Sequence, residues 1–199
     1  MRIYFSFFLF FLFFFLSGVD KLQAQIGNSS KPRWKRDTIV GDNVFKEQNN
    51  WVSGGAGVGK NSQFGGSQFA GGLDYNFHLR MEYFQFGVLV TGDQFGEYNN
   101  YEFHLCYGKR KENVNYNFSY YGGLSYCFFY QRFAPNDYSE NSTNAIGLYG
   151  NAQLIYKLTY DVGIGPGVFI DINTKEVVEG LKLDLYFSGA YRGKKDTYY

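Results

Sequence analysis

From Trp51 onward the apolar residues of this chain recur at every second position, and that period of two constrains the fold more than any other feature. Phe69, Gly71, Leu73, Tyr75, Phe77 and Leu79 alternate with Ala70, Gly72, Asp74, Asn76, His78 and Arg80. Phe84, Phe86, Val88 and Val90 alternate with Gln85, Gly87, Leu89 and Thr91; Tyr101, Phe103, Leu105 and Tyr107 alternate with Glu102, His104 and Cys106. The longest run sets Val114, Tyr116, Phe118, Tyr120, Leu124, Tyr126 and Phe128 against Asn115, Asn117, Ser119, Tyr121, Ser125 and Cys127. Similar runs cover 146–156, 160–170 and 181–191, and a glycine-rich segment at 51–59 opens the series. Successive side chains of a strand point to opposite faces, so each run is a strand with one apolar and one polar face. The count is eight.

Several runs are about ten residues long, the length a tilted strand needs to cross a hydrocarbon layer. Longer connections near 60–68, 92–99, 131–144 and 171–178 alternate with shorter ones near 80–82, 108–113 and 157–158. An even number of antiparallel strands with alternating long and short connections predicts an up-and-down barrel spanning an outer membrane. Composition fits one lipid face and one polar face: the chain is 45% hydrophobic and 22% aromatic, yet its mean hydropathy is −0.32. A formal charge of +1 over 199 residues argues against nucleic acid as a partner.

Residues 3–16 form an apolar run after Met1-Arg2, too short for a spanning helix and suited to the core of a secretory signal. Leu22-Gln23-Ala24 offers a small-residue cleavage site, so 1–24 is expected to be removed on export. That segment takes Tyr4 and eight Phe with it, leaving most of the aromatic residues to the fold. Residues 25–50 read as a polar periplasmic tail with a basic cluster at 31–36 and one short strand around Thr38–Val40. The barrel is expected over 51–192 and a C-terminal tail over 193–199.

Alternation alone leaves open which face points inward. A soluble, secreted, lipocalin-like barrel would turn the apolar face to its interior and bind a small apolar ligand. The membrane arrangement is favoured by the lack of charge on the apolar face and by Tyr gathered near strand ends. The polar face, rich in Gly, Asn and Ser, is also unlike a solvated exterior. The export signal, the eight amphipathic strands and the Phe187-Ser188-Gly189-Ala190-Tyr191 segment together resemble the small OmpA/OmpX-like outer-membrane β-barrel proteins of Gram-negative bacteria, in a Bacteroidota-type style. The resemblance covers 51–192. It implies an all-β, eight-stranded antiparallel transmembrane barrel with outer-membrane lipid as its surroundings and a possible protein partner in the envelope.

Few residues suggest chemistry. Gly54, Gly59 and Lys60 have the spacing of a phosphate-binding loop, but Asn61 replaces the hydroxyl residue and no helix follows. Cys106 and Cys127 share the polar face of consecutive strands. A turn centred near 111 would set them some ten residues apart, about 33 Å, too far to bridge. Asp74, His78, Glu102, His104, Asp161, Lys182, Asp184 and Arg192 are expected in the polar interior, and Asn117 faces the same way. No catalytic, cofactor or metal motif is evident, so the expected protein is non-enzymatic. It acts as a structural, adhesion or complex-accessory protein through its loops and tail. The longest loop, 131–144, offers Phe133 and Tyr138 as recognition residues. The alternative is an outer-membrane acyl hydrolase or transferase using His78 or His104.

Overall fold

Two short strands, β1 (Asp37–Val40) and β2 (Asn43–Lys46), precede eight long ones. These are β3 (Trp51–Asn61), β4 (Ser67–Leu79), β5 (Glu82–Gly92), β6 (Tyr98–Glu112), β7 (Tyr116–Arg132), β8 (Glu140–Lys157), β9 (Val162–Asn173) and β10 (Val177–Ser188), and a last short strand, β11 (Tyr191–Lys194), follows. The computed structural model describes residues 37–47, 49–63, 66–80, 82–93, 98–132 and 140–194. Strands β3 to β10 pair antiparallel in sequence order, and β10 returns to β3 to close the barrel. Closure leaves no unpaired edge in the wall.

The two faces sort as the alternation requires, apolar residues outside and polar residues inside. Along β8, Ile146, Leu148, Leu154 and Tyr156 are exposed while Gly147, Tyr149, Asn151, Gln153 and Ile155 are buried. From Ile146 to Tyr156 is ten residues, about 34 Å at strand rise. Tilted by about 40°, this stretch stands roughly 26 Å tall, the height of an outer-membrane apolar band. Across the sheet, Leu105, Leu124, Leu148 and Ile172 follow one another in register as an outward aliphatic row. Aromatic pairs flank it: Phe77–Phe84 and Phe84–Tyr107 toward one end, Tyr101–Tyr130 and Phe103–Phe128 toward the other. This is the reverse of a soluble ligand-binding barrel, whose apolar face would be inside.

Strands β1, β2 and β11 form a separate three-stranded sheet at the end carrying the 158–161 turn, called here the near end. Gly41, at φ 62°, makes the tight β1–β2 turn. Two expectations are corrected by this sheet. Residues 37–46 are a hairpin, not a tail with a single short strand. The last barrel strand stops at Ser188 rather than continuing to 192, because Asp161 draws the chain aside: its backbone oxygen accepts from Ser188 N at 2.8 Å and its carboxylate from Ala190 N at 2.9 Å. The expected signal segment 1–24 and the basic cluster at 31–36 lie outside the described residues.

The β6–β7 hairpin is also longer than expected. Asn113 Oδ1 accepts from both Asn115 N and Tyr116 N at 2.8 Å, fixing the turn at 113–115 instead of near 111. Cys106 therefore stands opposite Gly123, and Cys127 opposite Glu102. The thiols are about four residues apart along the strands, roughly 13 Å, and both are buried and free.

Candidate functional site

The lumen is the place where this chain gathers polar chemistry, and it is arranged in three layers. The central layer is built on His104 of β6. Its Nε2 lies 2.9 Å from Asp74 Oδ1 and its Nδ1 lies 3.1 Å from Glu102 Oε1, with all three side chains fully buried. Tyr149 stacks on the imidazole with ring centroids 4.0 Å apart. Both ring nitrogens are therefore taken up by contacts to buried carboxyl groups. Lys182 of β10 reaches Asp74 at 3.1 Å and Asp184 at 3.4 Å. Around them Asn76 donates to Ser53 at 3.2 Å, Gln85 to Asn76 at 3.0 Å and Asn151 to Gln85 at 2.9 Å. Glycines in the wall make room for this layer: a Cβ on Gly87 would lie 2.2 Å from Asp74 Oδ1 and 2.5 Å from His104 Nε2.

Arg110 organises the near-end layer. Its guanidinium lies 4.0 Å over the Trp51 ring and donates to Asn117 Oδ1 at 2.8 Å, Tyr186 Oη at 2.9 Å and Asn49 O at 3.1 Å. It also pairs with Glu112 at 2.7 Å, and Lys157 donates to the same carboxylate. Lys157 in turn sits 3.9 Å over the Tyr160 ring. Sequence reasoning passed over Arg110, Glu112 and Lys157 by assigning them to connections. Stepping by two from Glu102 through His104 and Cys106 reaches Gly108, Arg110 and Glu112, and that signal would have found two of them.

At the far end, Asp171 accepts from Ser125 Oγ, from Asn173 Nδ2 at 2.6 Å and from Cys127 Sγ at 3.7 Å. Glu176, in the β9–β10 connection, accepts from Tyr98 Oη at 2.6 Å and from Asn61 Nδ2. Burial pushes the Glu176 carboxyl above the usual carboxylate range, and these two donors oppose the shift.

The structure brings Asp74, Glu102, His104, Lys182 and Asp184 into the central layer. The other three expected interior residues lie elsewhere. His78 is partly exposed at the near end, with Nδ1 3.2 Å from the Arg80 carbonyl oxygen. Asp161 is in the 158–161 turn, accepting from Ser188 Oγ at 2.8 Å. Arg192 is a correction: it belongs to β11, outside the barrel, and reaches Asp37 at 3.2 Å with both side chains part-exposed. The period of two carried the sequence reading past Ser188, where the strand ends. Phe133 and Tyr138 lie outside the described residues. Gly55 and Gly57 of the phosphate-loop-like motif face Asp184 and the β10 backbone instead of a ligand.

A closed eight-stranded antiparallel barrel, apolar outside and polar within, is the fold of the small outer-membrane β-barrel proteins. Solved structures of that class resemble this chain at low identity. Neisserial surface protein A matches with a TM-score of 0.59 and 13% identity, covering 70% of this chain and 96% of its own. Ail, the attachment invasion locus protein of Yersinia pestis, matches at 0.53 and 12%, covering 70% and 98%. The N-terminal β-barrel domain of Pseudomonas aeruginosa OprF matches at 0.50 and 14%, also covering 70% and 98%. No family model matches the sequence, and no curated protein matches it.

Proposed function

We propose that this protein is a non-enzymatic barrel of the outer membrane, exported by a cleaved signal peptide, that acts as a structural, adhesion or complex-accessory protein. The observation that carries the reading is the lumen: side chains linked by hydrogen bonds and ion pairs cross it in successive layers, which favours the surface outside the wall as the place for partners. The far-end connections, above all 133–139 with Phe133 and Tyr138, are the recognition surface, and the N-terminal segment is a second point of attachment. One structural neighbour is named for attachment and invasion, which is in keeping with an adhesion role.

The chemistry of the lumen supports the non-enzymatic reading over a lipid-modifying one. A general base needs one imidazole nitrogen free to take a proton from a nucleophile. Both nitrogens of His104 face carboxylates, and its ring face is covered by Tyr149. An acyl chain would lie against the outer wall, on the other side of the sheet from His104.

Cell fractionation tests the proposal. The mature chain should begin at Gln25, extract with the outer membrane, and migrate differently on gels before and after boiling. Protease applied to intact cells should cut within 133–139, and replacing Phe133 and Tyr138 should abolish capture of its envelope partner without changing the heat-dependent migration. A water-soluble product would overturn the membrane placement. Altered lipid A on replacing His78 and His104 would overturn the non-enzymatic role.

A further inference from the structure

Three side chains from three strands converge near the far end of the lumen. A carboxylate oxygen of Glu102 (β6), Cys127 Sγ (β7) and a carboxylate oxygen of Asp171 (β9) all lie within 4.8 Å of one another, and all three residues are buried. The register places Glu102 directly opposite Cys127, so their closeness is fixed by the ladder itself. We propose that Glu102, Cys127 and Asp171 form a structural binding site for a thiophilic divalent cation of the zinc class.

Two observations point to a cation as the ligand. Glu102 Oε2 has no hydrogen-bond partner among the described residues, although the residue is 1% exposed. A buried carboxylate oxygen left bare is costly and uncommon. The second is charge. Among the described residues, the central and far layers bury five carboxylates, on Asp74, Glu102, Asp171, Glu176 and Asp184, against the basic side chains of Lys182 and His104. Lys182 is spent on Asp74 and Asp184, and His104 on Asp74 and Glu102. Among the described residues, the hydrogen bonds to Asp171 come from the neutral donors Ser125, Asn173 and Cys127. A divalent ion between Glu102 and Asp171 would give both carboxyl groups a cationic partner.

The ligand set selects the ion. A thiolate with two carboxylates suits zinc or cadmium, whereas calcium and magnesium call for oxygen ligands alone. Tetrahedral bonds of about 2.0–2.3 Å hold ligand atoms roughly 3.3–3.8 Å apart. Cys127 Sγ and Asp171 Oδ1 are already at 3.7 Å, so only small side-chain rotations are required. The supporting bonds are of the kind that orient metal ligands: His104 holds Glu102 through Oε1, while Ser125 and Asn173 hold Asp171. Three protein ligands leave a fourth position for water. Bound there, the ion would tie β6, β7 and β9 together, and its burial means it would load as the barrel assembles.

The test uses the untagged full chain folded in detergent with zinc and then desalted. Elemental analysis should find about one zinc per folded chain, and calcium or magnesium should not compete. Cadmium added during folding should give thiolate-to-metal charge-transfer absorption in the native protein and in Cys106→Ser, which removes the other buried thiol. Cys127→Ser should lose that absorption, and Glu102→Gln should weaken zinc retention at least roughly tenfold. Zinc-free native protein after this protocol would overturn the site, as would cadmium absorption that follows Cys106. Heat-dependent migration identifies variants that form the barrel; where Cys127→Ser does not, the native and Cys106→Ser proteins decide the question alone.

Discussion

At the closing seam of the barrel, Gly57 faces the backbone of β10 with no space for a side chain. A Cβ added there would lie 1.9 Å from Leu181 O and 2.5 Å from Lys182 Cα, both main-chain atoms that cannot rotate away. Gly55, two residues earlier, would place its Cβ 2.6 Å from Leu183 O. Gly55 and Gly57, which lie between the glycines of the phosphate-loop-like spacing, are explained by close approach of two strands. Gly57→Ala should therefore push β3 from β10 at the pair that closes the sheet, costing about 3 kcal/mol. Gly189 is the matched control, since nothing lies within 4 Å of its added Cβ. Urea unfolding in detergent, followed by the shift in gel migration, checks the pair. Gly57→Ala should move the midpoint sharply down or abolish the folded band, and Gly189→Ala should leave both unchanged.

Among the elements, the eight barrel strands were legible because each repeats its two-residue pattern long enough to be told from chance. Their faces were legible for the same reason, and His104, Glu102 and Asp74 could be placed together in the lumen from sequence alone. Their bonding could not, because it depends on the stagger between strands. The Asn113 turn shows how much rests on that stagger: moving its centre by a few residues brought Cys127 opposite Glu102. Asp171, read as part of a connection, proved to be the penultimate lumen-facing position of β9. The small sheet was hidden because β1, β2 and β11 are four residues each, too short to show a period. Its anchor is Phe45, which stacks on Tyr160 at 4.6 Å and meets Tyr191 edge-on at 5.7 Å, while Lys46 N donates to Ala190 O at 2.7 Å. Phe45→Ala removes the ring from this contact at a local cost of about 3–4 kcal/mol. Limited proteolysis should then cut within 37–46 and 189–194, with the gel shift of the barrel retained. Loss of the gel shift would mean that the sheet is required for the barrel to stand.

For the whole molecule, the question is whether three polar layers leave a continuous path for water and ions. An eight-stranded barrel has an interior just wide enough for side chains to fill. Here the filling is cross-linked from wall to wall: Arg110 joins β6 to β7 and β10 near one end, Lys182 and His104 tie β10 and β6 to β4 at the centre, and Tyr98 and Asn61 meet on Glu176 at the far end. An ion entering would have to part charge-assisted bonds in each layer, at about 1.5–3 kcal/mol apiece. Breaching one layer leaves the others in place, so single substitutions should be silent in electrical recording. The purified protein in a planar bilayer is expected to show no steady conductance, and Arg110→Ser alone is expected to remain closed. Combining Arg110→Ser with His104→Ser and Tyr98→Ser removes the keystone of each layer and should produce a leak. Steady ohmic conductance in the native protein would show that the lumen is a path, and would move the search for function from the outer surface to what passes through.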